Sequence, residues 1–96
     1  MEDNNKYLKY AVILLNYNTV NDAINAAQSI VRNAISDEYV ICFVDGYSTE
    51  SCQAEAFRLA NIHNSCILEL KNNVGNAKGN NAGVRFLLEN QIIFQN

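Results

Sequence analysis

A chain of 96 residues, 49% apolar and 18% charged, has the composition of a single globular domain, neither disordered nor membrane-spanning. A domain this short buries only about 60–65% of its unfolded surface, so one modest core is all it builds. The formal charge of −3 argues against a nucleic-acid binder, and 16 asparagines scattered among apolar residues supply polarity in place of charge.

The first ten residues are polar and contain no apolar stretch of the kind a secretory signal needs. The longest apolar run, residues 11–15, is far below the ~20 residues that cross a bilayer. Three cysteines, Cys42, Cys52 and Cys66, are odd in number and lack CxxC spacing, which fits small buried hydrophobes in a reducing compartment. A cytoplasmic chain without a transmembrane segment is the expectation.

Residues 10–15 (Tyr-Ala-Val-Ile-Leu-Leu) form a continuous, partly β-branched apolar run. Continuous rather than alternating hydrophobicity marks a strand covered on both faces, as in a parallel sheet. Val20, Ala23, Ile24, Ala27, Ile30, Val31 and Ala34 then recur at helical spacing over four turns. Thr19, three residues before Asp22, has the form of a capping box at the start of that helix. A second strand run occupies residues 39–44, and a weaker helical pattern from about Glu50 to Ile62 carries Ala56, Phe57 and Ala60 inward. Residues 66–70 form a third strand. A third helix begins within residues 77–81 and turns Val84, Leu87 and Leu88 inward, and residues 92–94 (Ile-Ile-Phe) start a fourth strand.

The order β-α-β-α-β-α implies parallel βαβ units, with the first strand central and the second and third stacked outward on one side. In such sheets ligands bind outside the carboxyl ends of the strands. Three segments lie there: 16–19 (Asn-Tyr-Asn-Thr), 45–50 (Asp-Gly-Tyr-Ser-Thr-Glu) and 72–81 (Asn-Asn-Val-Gly-Asn-Ala-Lys-Gly-Asn-Asn). All are rich in hydrogen-bonding groups and poor in charge, which suits a base or a sugar better than a bare polyphosphate. Gly75, Gly79 and Gly83 are spaced by four, which matches neither GxGxxG nor GxxxxGK[ST]. Close packing explains Gly79 and Gly83, and a turn with positive φ explains Gly75. Lys78 and the solitary His63 read as surface residues.

Taken together, the string from Ile13 through Leu14, Leu15, Asn16, Tyr17 and Asn18 to Thr19 with Asp22, the string Val44, Asp45, Ser48, Thr49, Glu50, and the string Asn73, Gly75, Gly79, Asn80, Asn81, Gly83 resemble the nucleotide-sugar-binding part of family-two glycosyltransferases, closest to the rhamnosyltransferase-like subgroup. The resemblance spans roughly residues 11–88. It implies a three-layer α/β sandwich with a mainly parallel sheet, the N-terminal part of a GT-A fold, with residues 1–96 forming one partial domain. It implies a UDP- or dTDP-sugar donor bound by Asn16, Tyr17, Asn18, Asp45, Gly75, Asn80 and Asn81. Tyr17 lies beside the base, and Asp45 accepts a hydrogen bond from the base imide or the ribose. A carboxylate accepts only, which suits an imide N–H, and an aromatic ring offers a stacking face. Read without the resemblance, Asp45 is a turn-former, Ser48 and Thr49 are helix caps, and Tyr17 is a packing tyrosine.

Two departures stand out. The family's Asp-Asn-Gly-Ser-Thr-Asp is here Asp-Gly-Tyr-Ser-Thr-Glu, so Tyr47 takes the glycine's place; if that place needs positive φ, it carries strain of about 1–3 kcal/mol. The DxD motif, which in the family holds Mg²⁺ or Mn²⁺ against the diphosphate, is not reached by Asn96, so neither a metal site nor a catalytic residue is expected in this chain. The expectation is an inactive piece of an enzyme that transfers sugar to a polysaccharide or glycolipid at the inner face of the membrane. The alternative is a non-catalytic module that kept the scaffold. The uncovered apolar edge of the first strand predicts a homodimer.

Overall fold

The computed structural model describes residues 10–49 and 53–90. The elements are β1 (Tyr10–Asn16), α1 (Val20–Asn33), β2 (Tyr39–Asp45), α2 (Gln53–Ala60), β3 (Ser65–Glu69) and α3 (Gly75–Glu89). The expected fourth strand at residues 92–94, Glu50 and Cys52 lie outside the described residues.

The sheet has the order β1-β2-β3 with both pairings parallel, so β2 and β3 stack outward on one side of β1, as expected. All seven residues of β2 are buried, which explains its unbroken hydrophobicity. Alternate β2 residues serve two cores. Tyr39, Ile41 and Phe43 face α1 and α2, where they meet Ala23, Ala27 and Phe57. Val40, Cys42 and Val44 face α3, where they meet Leu87. The result is a three-layer α/β/α sandwich. Phe43 and Phe57 stack with ring centroids 4.3 Å apart, a contact worth about 0.5–1.5 kcal/mol beyond the area it buries.

α1 follows the expected stripe throughout: Val20, Ile24, Ile30, Val31 and Ala34 pack around buried Ala23 and Ala27. Its start differs from a capping box. Thr19 makes no side-chain cap; its N–H and its hydroxyl both donate to Asn16 Oδ1. The last residue of β1 competes successfully for the capping group. α2 ends at Ala60 rather than Ile62, because Asn61 turns left-handed at φ 51° and closes the helix through its N–H to the Arg58 carbonyl. Phe57 is buried as expected, while Ala56 and Ala60 are half-buried.

α3 starts at Gly75, earlier than the expected 77–81. Gly75 holds φ +85°, which glycine adopts without a Cβ clash, and its N–H donates to Asn73 Oδ1. The sheet-facing stripe of α3 is Gly79, Gly83 and Leu87, with Phe86 beside it. Val84 falls off that stripe and is 42% exposed, contrary to its expected inward position. A Cβ on Gly83 would stand 2.9 Å from Val44 Cγ2, so the glycine lets the helix backbone rest directly on the side chains of the sheet.

Candidate functional site

The parallel register sets Asn16, at the end of β1, directly beside Asp45, at the end of β2. Side chains of register partners in adjacent strands share a face, so a carboxamide and a carboxylate are brought together. Asn16 Nδ2 donates to Asp45 Oδ1 and to Gln53 Oε1, each at 3.0 Å, and lies 3.3 Å from Ser48 Oγ. The Ser48 hydroxyl donates to Asp45 Oδ1, and its backbone N–H donates to Asp45 Oδ2 at 3.3 Å. Asn18 closes the cluster: its N–H donates to Ser48 Oγ at 3.0 Å and its Nδ2 to Thr49 Oγ1 at 2.8 Å. Asn16 is 1% exposed and Asp45 8% exposed, and every buried side-chain polar atom among the described residues has a partner. Such satisfaction rigidifies a polar cluster, because in a low-dielectric setting each unpaired group is costly.

Against this cluster lies an open cleft of about 230 Å³. One wall is Leu15, Asn16, Tyr17 and Thr19, the next is Gly46, and the third is Leu70, Asn73, Val74, Gly75, Asn76 and Gly79. None of these side chains is charged. The volume falls below the ~300–1,000 Å³ that encloses a drug-sized molecule, so the cleft matches a single ring, a base or a sugar, rather than a whole nucleotide sugar. Tyr17, 45% exposed, offers its ring at the rim.

Of the residues singled out in the sequence, Asn16, Tyr17 and Gly75 border the cleft, and Asn18 and Asp45 stand in the hydrogen-bonded cluster. Asn80 and Asn81 are exposed on α3 and do not line the cleft, because the helix begins earlier and Asn73 and Asn76 hold the positions near the ligand edge. The Asn73 contact to Gly75 has a sequence signal, an asparagine two residues before a glycine. Gln53 has none: it is a polar first residue of a weak helix, and only the tertiary fold shows it buried against Asn16. Lys78 and His63 are exposed, and His63 Nε2 lies 3.2 Å from Asp37 Oδ1, away from the cleft.

Tyr47 adopts φ 68°, so the left-handed turn is kept although tyrosine replaces the glycine of the resembling pattern. Asn18 is also left-handed, at φ 58°, a conformation that asparagine tolerates better than most residues.

The three-layer sandwich, with its loops gathered at the carboxyl ends of parallel strands, shares its fold with part of a solved glycosyltransferase. It superimposes on a mannosyltransferase from Pyrobaculum calidifontis, solved in complex with GDP-Man and Mn²⁺, with a TM-score of 0.66 and 21% sequence identity over 83% of this chain. The chain spans 24% of the length of that enzyme. No protein-family model matches the chain, and no curated protein sequence matches it.

Proposed function

We propose that the chain is the nucleotide-sugar-binding part of a glycosyltransferase of the rhamnosyltransferase-like subgroup, which moves a sugar from a UDP- or dTDP-linked donor to a polysaccharide or glycolipid acceptor. The observation that carries this reading is the uncharged cleft at the strand ends, beside Asp45, in a fold shared with an enzyme solved with GDP-Man. Tyr17 stacks on the base, Asp45 accepts from the base imide, Asn18 shapes the loop between them, and Gly75 lets the backbone approach the nucleotide. Asn80 and Asn81 meet the more distal part of the donor from α3.

A divalent ion would need a gathered donor set. Among the described residues no group of three or more His, Cys, Asp or Glu side chains is so placed, and Asp45 is engaged by Asn16 and Ser48. These residues do not fit Mg²⁺ or Mn²⁺. In the proposed enzyme the ion is held by other residues, and this chain alone transfers no sugar.

Titration of UDP, dTDP and GDP into ¹⁵N-labelled protein tests the reading. UDP or dTDP should shift the amides of Tyr17, Gly46 and Gly75, and Asp45→Ala should abolish the shifts. A response to GDP alone would correct the donor type. No response to any of the three would leave the non-catalytic module as the better reading.

No helix among the described residues is long and apolar enough to cross a membrane. The cytoplasmic location and the homodimer remain part of the proposal. Within the described residues β1 pairs only with β2, and its other edge is the dimer surface. Sedimentation equilibrium at micromolar concentration should show a dimer that a charge at the exposed Ala11 disrupts; a monomer would refute it.

A further inference from the structure

We propose that Asn16 is a positioning residue whose carboxamide locks the loop after β1 to the loop after β2 and so fixes which oxygen of Asp45 is left for a ligand. The ligand half of this statement rests on the nucleotide-binding reading above; the locking half does not.

Both ends of the Asn16 amide are assigned by their partners. Oδ1 faces the Thr19 N–H at 2.9 Å, and a backbone N–H only donates. Nδ2 therefore faces the acceptors Asp45 Oδ1 and Gln53 Oε1, both at 3.0 Å. One buried side chain thus ties residue 19, the end of β2 and the first residue of α2 to one another. The two loops it joins contain the left-handed residues Asn18 and Tyr47, conformations that persist only where the surroundings over-determine them. Among the described residues, Asp45 Oδ1 takes both the Asn16 amide and the Ser48 hydroxyl, whereas Oδ2 takes the longer bond from the Ser48 N–H. Acceptor capacity is left on Oδ2, and Asn16 is what orients the carboxylate that way. Serine is too short, aspartate offers no donor to Asp45, and glutamine carries the same pair of ends one methylene further out.

N16D separates the two halves of the lock. The introduced carboxylate still accepts from Thr19 but faces Asp45 with like charge. In amide hydrogen exchange, Thr19 should stay protected, while Ser48 and Asn18 should lose protection at least tenfold. The β2 amides of Ile41 and Phe43 should stay protected, reporting an intact fold. UDP or dTDP affinity should fall at least tenfold, because the Asp45 carboxylate loses the orientation that Asn16 gives it.

The reciprocal variant N16D/D45N exchanges donor and acceptor. It should restore protection of Ser48 and Asn18 and leave nucleotide affinity low. If N16D fails to fold, the reciprocal variant carries the test alone, since restored complementarity should restore folding. Ser48 and Asn18 protection within twofold of the parent in N16D, or no recovery in the reciprocal variant, would overturn the lock. If the parent chain binds no nucleotide while protection is lost and regained as described, the lock stands and the donor reading falls.

Discussion

A Cβ built on Gly79 would stand 2.9 Å from Leu15 Cδ2, so the α3 backbone rests directly on the Leu15 side chain of β1. The two sheet-facing glycines of α3 nevertheless differ in what surrounds them. Gly79 meets only the far end of a flexible leucine at the edge of the cleft, whereas Gly83 meets Val44 Cγ2 at 2.9 Å and Ile13 Cγ2 at 3.0 Å, both β-branched. Alanine gains about 1 kcal/mol of helix propensity over glycine. Gly79→Ala should therefore leave stability within about 1 kcal/mol of the parent, Leu15 turning aside. Gly83→Ala should lose about 1–3 kcal/mol from overpacking in excess of that gain. Urea denaturation checks both, and a Gly83→Ala variant as stable as the parent would show that the interface yields more easily than its side chains suggest.

Tyr47 carries a strain that its sequence neighbours foreshadow. It is 56% exposed at φ 68°, so its ring gains little from burial while its Cβ crowds the following carbonyl. The left-handed conformation costs a non-glycine residue about 1–2 kcal/mol, and glycine gives back about 0.5–1 kcal/mol through unfolded-state entropy. Tyr47→Gly should stabilise the fold by up to about 1 kcal/mol, read as a higher urea midpoint. Tyr47→Ala keeps the strain and should show no gain.

Cys42 and Cys66 are register partners on β2 and β3, and their thiols shift in opposite directions. The hydrogen bond to Cys66, reinforced by burial, pushes the Cys42 thiol well above its usual range, and the same hydrogen bond lowers Cys66. Thiolate is the reactive form, so iodoacetamide should label Cys66 at least about tenfold faster than Cys42, resolved peptide by peptide. Cys42→Ala removes the donor and should slow Cys66 labelling at neutral pH, the opposite of what simple opening of the core would do.

At the amino end of the sheet the Tyr39 phenol is pushed up by burial first, then by the negative charge of Asp37 and by Tyr10. A phenol that stays protonated in the fold while the unfolded chain ionises near pH ~10 contributes stability that is complete below that pH and lost as pH rises further. The urea midpoint should therefore fall steeply above pH ~10, and Tyr39→Phe should flatten that fall. Cys42 acts with the same sign, so a slope that survives Tyr39→Phe and disappears in Cys42→Ala would move the cause to the thiol.

Much of the fold is legible because β2 and the α1 stripe each have a single solution: six consecutive apolar residues closed by Asp45, and a four-turn stripe, have nowhere else to go. The loops at the strand ends are legible as a group, since their asparagines, glycines and Asp45 fall where parallel strands finish. Their internal wiring is not. Thr19 has the form of a helix cap yet serves Asn16, three residues back, and Gln53 has no pattern at all, because its partner Asn16 lies 37 residues away in the sequence. The start of α3 is misjudged because Asn73 caps a glycine-led turn before any apolar periodicity begins. Val84 is misjudged because two glycines, Gly79 and Gly83, hold two of the three buried positions of the helix, ahead of Leu87.

The parallel register has a kinetic meaning. Tyr10 pairs with Tyr39 and Ile41 with Ser65, so no hairpin can seed the sheet, and each pairing waits until a helix-bearing crossover has brought distant segments together. Closing loops of that length costs entropy before any strand contact repays it, which places such chains among the slower small folders. The cleft draws its walls from residues near 16, 46 and 75, on either side of both crossovers. It therefore comes into being only after the second closure, and no peptide that lacks any one of these three segments can form it.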